Sequence, residues 1–402
     1  MILNDDDREH IREMNFRGLS LQAYGVAGKY GPIRAWTDPR DRLVASYLAE
    51  NLGAPRLAHA LSVAAYAGAP DNLEIRTQYA DTLLNRRGPL ACWEFLQDGR
   101  EPPPAPDRDL ARWYAFHAHI SGIFRDFDEA ETWMARAAGL GVDDPMLGGQ
   151  QVFLLQCQDR YAEALDKARD LLGRCPWYGY AWHATAHLLM LQELCLEAER
   201  LLTEATERLE VPSLWSHLHL VRAELDRLDG AAICLDRYEQ ATPLREKEIN
   251  QWLLLARSYL ASRRGDYASA ADKAEQADTE PAKAILRHLK DADGRSRRNV
   301  LQVPFVRQHY ITCAPATLTA LSRFWSKEVD HLQVAEEICY AGTPHHEERE
   351  WALRNGFVTR EFTLTWDSAR PSTGTPTATR TTGPRAPAAR RPRRAATRSS
   401  AS

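Results

Sequence analysis

Two residues of this 402-residue chain have the types and spacing for nucleophilic chemistry, Gln308 and Cys313. Val303-Pro-Phe-Val-Arg307 reads as a short apolar strand leading into the glutamine. Cys313 follows five residues later, and the text then turns helical through Ala316, Leu318, Ala320 and Leu321. Thr312 is a suitable N-cap and Pro315 fits the first turn. This spacing predicts a thiol at a helix N-terminus, where unpaired N–H groups and the helix dipole favour thiolate. A glutamine just upstream can offer a side-chain N–H to a developing oxyanion. Such a nucleophile also needs a base, normally histidine, itself oriented by Asp or Asn. No histidine follows His346. His345 and His346 open a charge-rich run and read as surface residues, and sequence places His309 and His331 no better.

The elements that must position these residues follow in order. Asp330 is an N-cap for a helix over 331–340, with a stripe of Leu332, Val334, Ala335, Ile338 and Cys339. Thr343 and Pro344 start a third helix ending near Arg354, and Asn355-Gly356 is a stop signal. Residues 357–366 alternate and read as a strand. Gln308, Cys313-Ala-Pro-Ala316, Gly342-Thr343 and Gly356-Phe357 in this order resemble the papain-like peptidases that cut double-glycine leaders from bacteriocin precursors. The resemblance covers 299–368. It implies an α+β papain-like domain in which Cys313 is the nucleophile and Gln308 the oxyanion donor. Ala314 stands where that family usually has glycine, and the family's histidine is missing. The expected outcome is little or no proteolysis by this chain.

Upstream, the text is helical with breaks at Gly53-Ala-Pro55, Gly68-Ala-Pro70 and Arg87-Gly-Pro89. Ala130, Ala164, Ala198 and Ala232 are spaced by 34, and Ala270 repeats the frame after a slip of four. Seven residues on stand Ala137, Leu171, Ala205 and Ala277, and Pro145, Pro176, Pro212 and Pro243 close the units. The pattern resembles the tetratricopeptide repeat. The resemblance implies an α-solenoid whose helix pairs bury their apolar faces only by stacking. The clearest units lie over 108–285, within repeats spanning 40–290, after an N-terminal segment 1–39 in which 8–16 reads as a helix. The concave face of such a solenoid is expected to hold a protein or peptide ligand. Within it, His183 and His187 share a helix face at i, i+4, but Ala184 stands where a zinc peptidase has glutamate. They read as packing or groove lining. Pro176-Trp-Tyr-Gly-Tyr-Ala-Trp182 reads chiefly as inter-repeat core, with groove lining as its alternative.

Composition bounds the remainder. Seven dispersed cysteines without Cys-x-x-Cys pairs suit a reducing cytoplasm and no metal or other cofactor. No stretch approaches the length of an apolar membrane span. Residues 291–298 read as a charged linker between the solenoid and a partial papain-like domain over 299–369. Residues 370–402 contain eight arginines, no acid and only Arg, Pro, Ser, Thr, Gly and Ala. The net charge of −4 therefore becomes −12 for the first 369 residues. The tail reads as disordered, and its lack of aromatics argues against specific nucleic-acid binding. Its six-letter alphabet is what a shifted reading frame in a GC-rich gene produces.

Overall fold

The computed structural model describes residues 3–98, 101–291 and 301–359. The expectations for 292–298, 360–366 and the 370–402 tail lie outside these residues. Packing divides the chain into residues 1–348 and 349–402. No strand occurs among the described residues.

The first unit is built from helices in antiparallel pairs: α1 (Asp5–Phe16) with α2 (Ser20–Ala27), α3 (Pro39–Asn51) with α4 (Pro55–Gly68), and α5 (Leu73–Arg87) with α6 (Pro89–Asp98). Five further pairs follow: α7 (Asp107–Ile123) with α8 (Phe127–Gly139), α9 (Pro145–Cys157) with α10 (Tyr161–Arg174), α11 (Gly179–Met190) with α12 (Cys195–Arg208), α13 (Pro212–Glu224) with α14 (Leu228–Ala241), and α15 (Lys247–Arg263) with α16 (Tyr267–Ala277). After α17 (Glu280–Asp291) come α18 (Cys313–Phe324), α19 (His331–Ile338) and α20 (His345–Arg354). The protein is a mainly-α solenoid.

The alanine period is realised as buried contacts. Ala130, Ala164, Ala198 and Ala270 are each the fourth residue of an even-numbered helix, and each is buried. The small side chain there lets the paired helices approach. The fourth unit corrects the period: α14 starts at Leu228, so its buried fourth residue is Ala231, and Ala232 is only half-buried. The helix start sets the slot, and that unit is one residue short. Pro145 and Pro212 open the next helix at its first position, where no N–H is needed.

The N-terminal segment closes the solenoid on itself. Glu210, between α12 and α13, donates its backbone N–H to the Gly18 carbonyl at 2.7 Å. Its carboxylate accepts the Leu21 and Gln22 N–H groups at 3.0 and 3.1 Å. Glu246 repeats the arrangement one unit later. It donates to the Gly53 carbonyl at 2.9 Å and accepts the Arg56 and Leu57 N–H groups at 2.8 and 3.0 Å. Neither α2 nor α4 has a side-chain cap from its own N-cap residue. Distant glutamates therefore satisfy these helix N-termini and meet their dipoles. Gly18 (φ +76°) and Gly53 (φ +90°) adopt left-handed backbone at these seams. A Cβ on Gly53 would stand 3.0 Å from Thr242 Cβ, so glycine is required twice over. Phe16 completes the closure, lying 5.5 Å from the Trp177 ring and 5.7 Å from the Tyr178 ring.

The expected strand over 303–307 is not formed. That segment runs without a ladder, with Val303 and Phe305 exposed, because no second strand is present among the described residues to pair with it. The expected α+β papain-like sheet is thus absent from the described residues, and 357–359 are likewise irregular. The α18–α19 pair leaves Trp325 65% and Tyr340 79% exposed. In the second unit, α20 ends as the Asn-Gly signal predicts, with Gly356 at φ +79° and the Phe357 N–H on the Ala352 carbonyl at 2.9 Å.

Candidate functional site

The sequence-predicted nucleophile lies where expected along the chain. Cys313 is the first residue of α18 and is exposed. Gln308 is exposed five residues before it. Thr312 occupies the N-cap position but does not cap the helix. Its hydroxyl accepts the His309 N–H at 2.8 Å and meets His331 Nε2 at 2.9 Å. The correction has a backbone cause: Ile311 adopts φ +56°, folding the preceding turn back onto Thr312. His309 stands edge-on to His331 with ring centroids 5.2 Å apart. Sequence reasoning set both histidines aside, yet the fold gathers them one residue from Cys313. Burial and the neighbouring His309 push the His331 imidazole below its usual range. His345 and His346 are exposed on α20.

This segment also docks on the solenoid edge. The Tyr310 N–H reaches Asp159 Oδ2 at 3.3 Å, and the Arg125 guanidinium lies 4.0 Å from the Tyr310 ring. Arg307 covers Tyr161 at 4.6 Å. The contacts are cation–π and polar, made at the turns that join the two helices of the α7–α8 and α9–α10 pairs.

The larger feature is the lumen on the inner face of the solenoid, a solvent-open cavity of about 740 Å³. Its walls come from the first helix of successive pairs: Tyr47 and Glu50 on α3, Gln78 and Asp81 on α5, Arg112 and Phe116 on α7. Gln150 on α9, Tyr180 and His183 on α11 and Ser213 on α13 continue the lining, and Arg12 and Phe16 on α1 cover it. Second helices carry the alanine slots and face outward. The Arg12–Glu74 pair at 2.6 Å and the Arg112–Asp144 pair at 2.7 Å brace the wall. His119 Nδ1 meets Gln150 Oε1 at 2.9 Å, and burial lowers the His119 imidazole. Burial pushes the Tyr47 and Tyr178 hydroxyls well up, and that of Tyr180 up to about 12. They are neutral donors at any physiological pH.

Of the aromatic run, Trp182 is buried core, whereas Tyr178 and Tyr180 line the lumen. The run is therefore split between its two readings. His183 lines the lumen, and the His217 ring on α13 lies 4.5 Å from it. Among the described residues no group of three His, Cys, Asp or Glu side chains is arranged to hold a metal ion. The signal that marks the lumen was present in the sequence. Arg112, Met146 and Tyr180 are 34 apart, and Phe116 and Gln150 repeat that step. These columns run parallel to the alanine column on the opposite helices.

No protein-family model matches this chain, and no curated protein matches it. Solved structures with a similar helical course include PilF of Pseudomonas aeruginosa, at 15% identity over 56% of this chain and 99% of that one, with a TM-score of 0.40. A tetratricopeptide repeat protein from Parabacteroides merdae shares 13% identity over 62% and 98%, with a TM-score of 0.39. The Cut9–Hcn1 assembly of the APC/C shares 13% identity over 79% and 60%, with a TM-score of 0.47. Nothing about ligand or partner follows from likenesses at this level. Among the described residues no helix is long and apolar enough to cross a membrane.

Proposed function

We propose that this chain is a tetratricopeptide-type interaction scaffold whose lumen takes a polypeptide segment. The single observation that supports this is the 740 Å³ cavity lined by the first helices of successive pairs. It falls in the size range of ligand sites, and its lining combines aromatic faces with amides and charges. Amides of Asn51, Gln78 and Gln150 offer both donors and acceptors to a peptide backbone. The segment around Cys313 keeps the residue order of a papain-like peptidase, with Cys313 and Gln308 in the nucleophile and oxyanion roles. It carries out little or no proteolysis in this chain. Thr312 engages His331 Nε2, and no Asp or Asn side chain orients that imidazole among the described residues. The odd, scattered cysteines suit a reducing cytoplasm.

The test is capture of a random heptapeptide display library by the full chain and by a variant carrying Gln78→Trp and Ser213→Trp. Both positions line the lumen. The full chain should enrich defined peptide families, and the blocked variant should lose at least tenfold of that enrichment while keeping its helical circular dichroism. Equal enrichment by the two proteins would overturn the reading.

A further inference from the structure

The charges of the lumen are not balanced. Each arginine of its wall is already paired to a carboxylate: Arg12 pairs with Glu74, while Arg108 and Arg112 share Asp144 at 3.2 and 2.7 Å. On the α3–α5 side, Glu50 and Asp81 line the cavity with no cation paired to either among the described residues. Asp81 is half-buried, and its carboxylate accepts from Asn85 Nδ2 at 3.1 Å. Burial first, and then the nearby charge of Glu50, push its carboxyl up to about 6. Burial likewise raises Glu50, against the Arg86 charge, which lowers it, and with Glu246 adding to the rise. A carboxylate that is desolvated and faces a like charge is stabilised by any cation placed against it.

A second observation is independent of these acids. Arg112 Nη2 is buried in the lumen wall and has no acceptor. A buried guanidinium donor without a partner costs free energy until an acceptor arrives. Tyr47, within electrostatic reach of both Asp81 and Arg112, and Phe116 also line the cavity, and such rings suit the methylene stem of a long cationic side chain.

We propose that the lumen selects a polypeptide segment bearing a lysine or arginine, with its cation seated at Asp81 and Glu50 and a neighbouring carbonyl accepting from Arg112 Nη2. The assignment rests on the reading that the lumen takes a polypeptide. A simple amine supplies the cation but no acceptor. A nucleic acid supplies acceptors but meets the two unpaired carboxylates.

The heptapeptide display library tests both levels when the captured pools are sequenced. The full chain should enrich peptides with lysine or arginine at one fixed position relative to the shared motif. The variant Asp81→Asn with Glu50→Gln should lose that positional preference at least tenfold while still capturing peptides through the lumen. Its melting temperature should not fall, because it removes an unfavourable charge pair. Enrichment of peptides without a basic residue, or a basic preference unchanged in the variant, overturns this inference and leaves the scaffold reading standing. Absence of any enrichment that depends on the lumen overturns both.

Discussion

Removing the Glu210 carboxylate should open the N-terminal seam and leave the rest of the solenoid intact. In Glu210→Ala the Leu21 and Gln22 N–H groups lose their acceptor, now at 3.0 and 3.1 Å. Leu19, the residue before α2, makes no side-chain cap that could replace it. Substituting a capping side chain by alanine costs about 0.5–2 kcal/mol. The lost charge at the positive end of α2 adds about 0.3–1 kcal/mol. Together, a local loss of about 1–3 kcal/mol corresponds to roughly 5- to 150-fold more frequent opening. Amide hydrogen exchange resolved to single residues is the assay, since it reads local opening free energies. Exchange at Leu21 and Gln22 should accelerate by that factor in Glu210→Ala. Exchange at Arg56 and Leu57, held by Glu246, should stay within about twofold. The Glu246→Ala variant should give the mirror result. Unchanged exchange over 18–22, or equal acceleration in every helix, would refute the remote-cap account.

Three more outcomes follow from packing and ionisation. Gly53→Ala and Gly88→Ala both place a side chain at positive φ, but only Gly53 has Thr242 within 3.0 Å of the new Cβ, so its loss in urea midpoint should exceed that of Gly88→Ala. Equal losses would show that backbone strain alone matters. Burial, with His183 and His187 adding to it, lowers the His217 imidazole to about 3, so between about 6.5 and 3 the unfolded chain binds a proton that the folded chain refuses. Stability should therefore fall as pH drops through that window, and His217→Gln should flatten the slope; an unaltered slope would remove His217 as the cause. Iodoacetamide on the native chain should label exposed Cys313 well before Cys92, which is buried and whose thiol burial pushes up to about 12, and peptide substrates should show no turnover dependent on Cys313. Such turnover, or faster labelling of Cys92, would contradict the assignment.

Much of the fold was legible because a buried small residue at a fixed slot leaves a period. Ala130, Ala164 and Ala198 are written at that spacing. Ala232 misled because a period read along the chain cannot see a unit shortened by one; the slot is counted from the start of α14 at Leu228. The closure was illegible. Glu210 and Glu246 are ordinary surface residues by type, and their partners lie about 190 positions away. The lumen was half legible. Tyr178, Tyr180 and His183 attract notice as residue types, whereas Asp81 and Glu50 matter only through their surroundings. The strand over 303–307 was read from a short apolar run alone, and such a run cannot supply the partner strand. The histidines near Cys313 were set aside because His331 comes 18 residues later, across a helix whose fold-back the sequence does not announce.

The central claim, that ligand binds in the lumen, is tested most directly by photo-crosslinking. A p-benzoylphenylalanine replacing Tyr180 keeps an aromatic ring in the lumen lining, and one placed at Ile233 stands exposed on α14 and outside it. Peptides captured from the display library should crosslink through position 180 and not through position 233. Crosslinking through 233 with none through 180 would contradict the account.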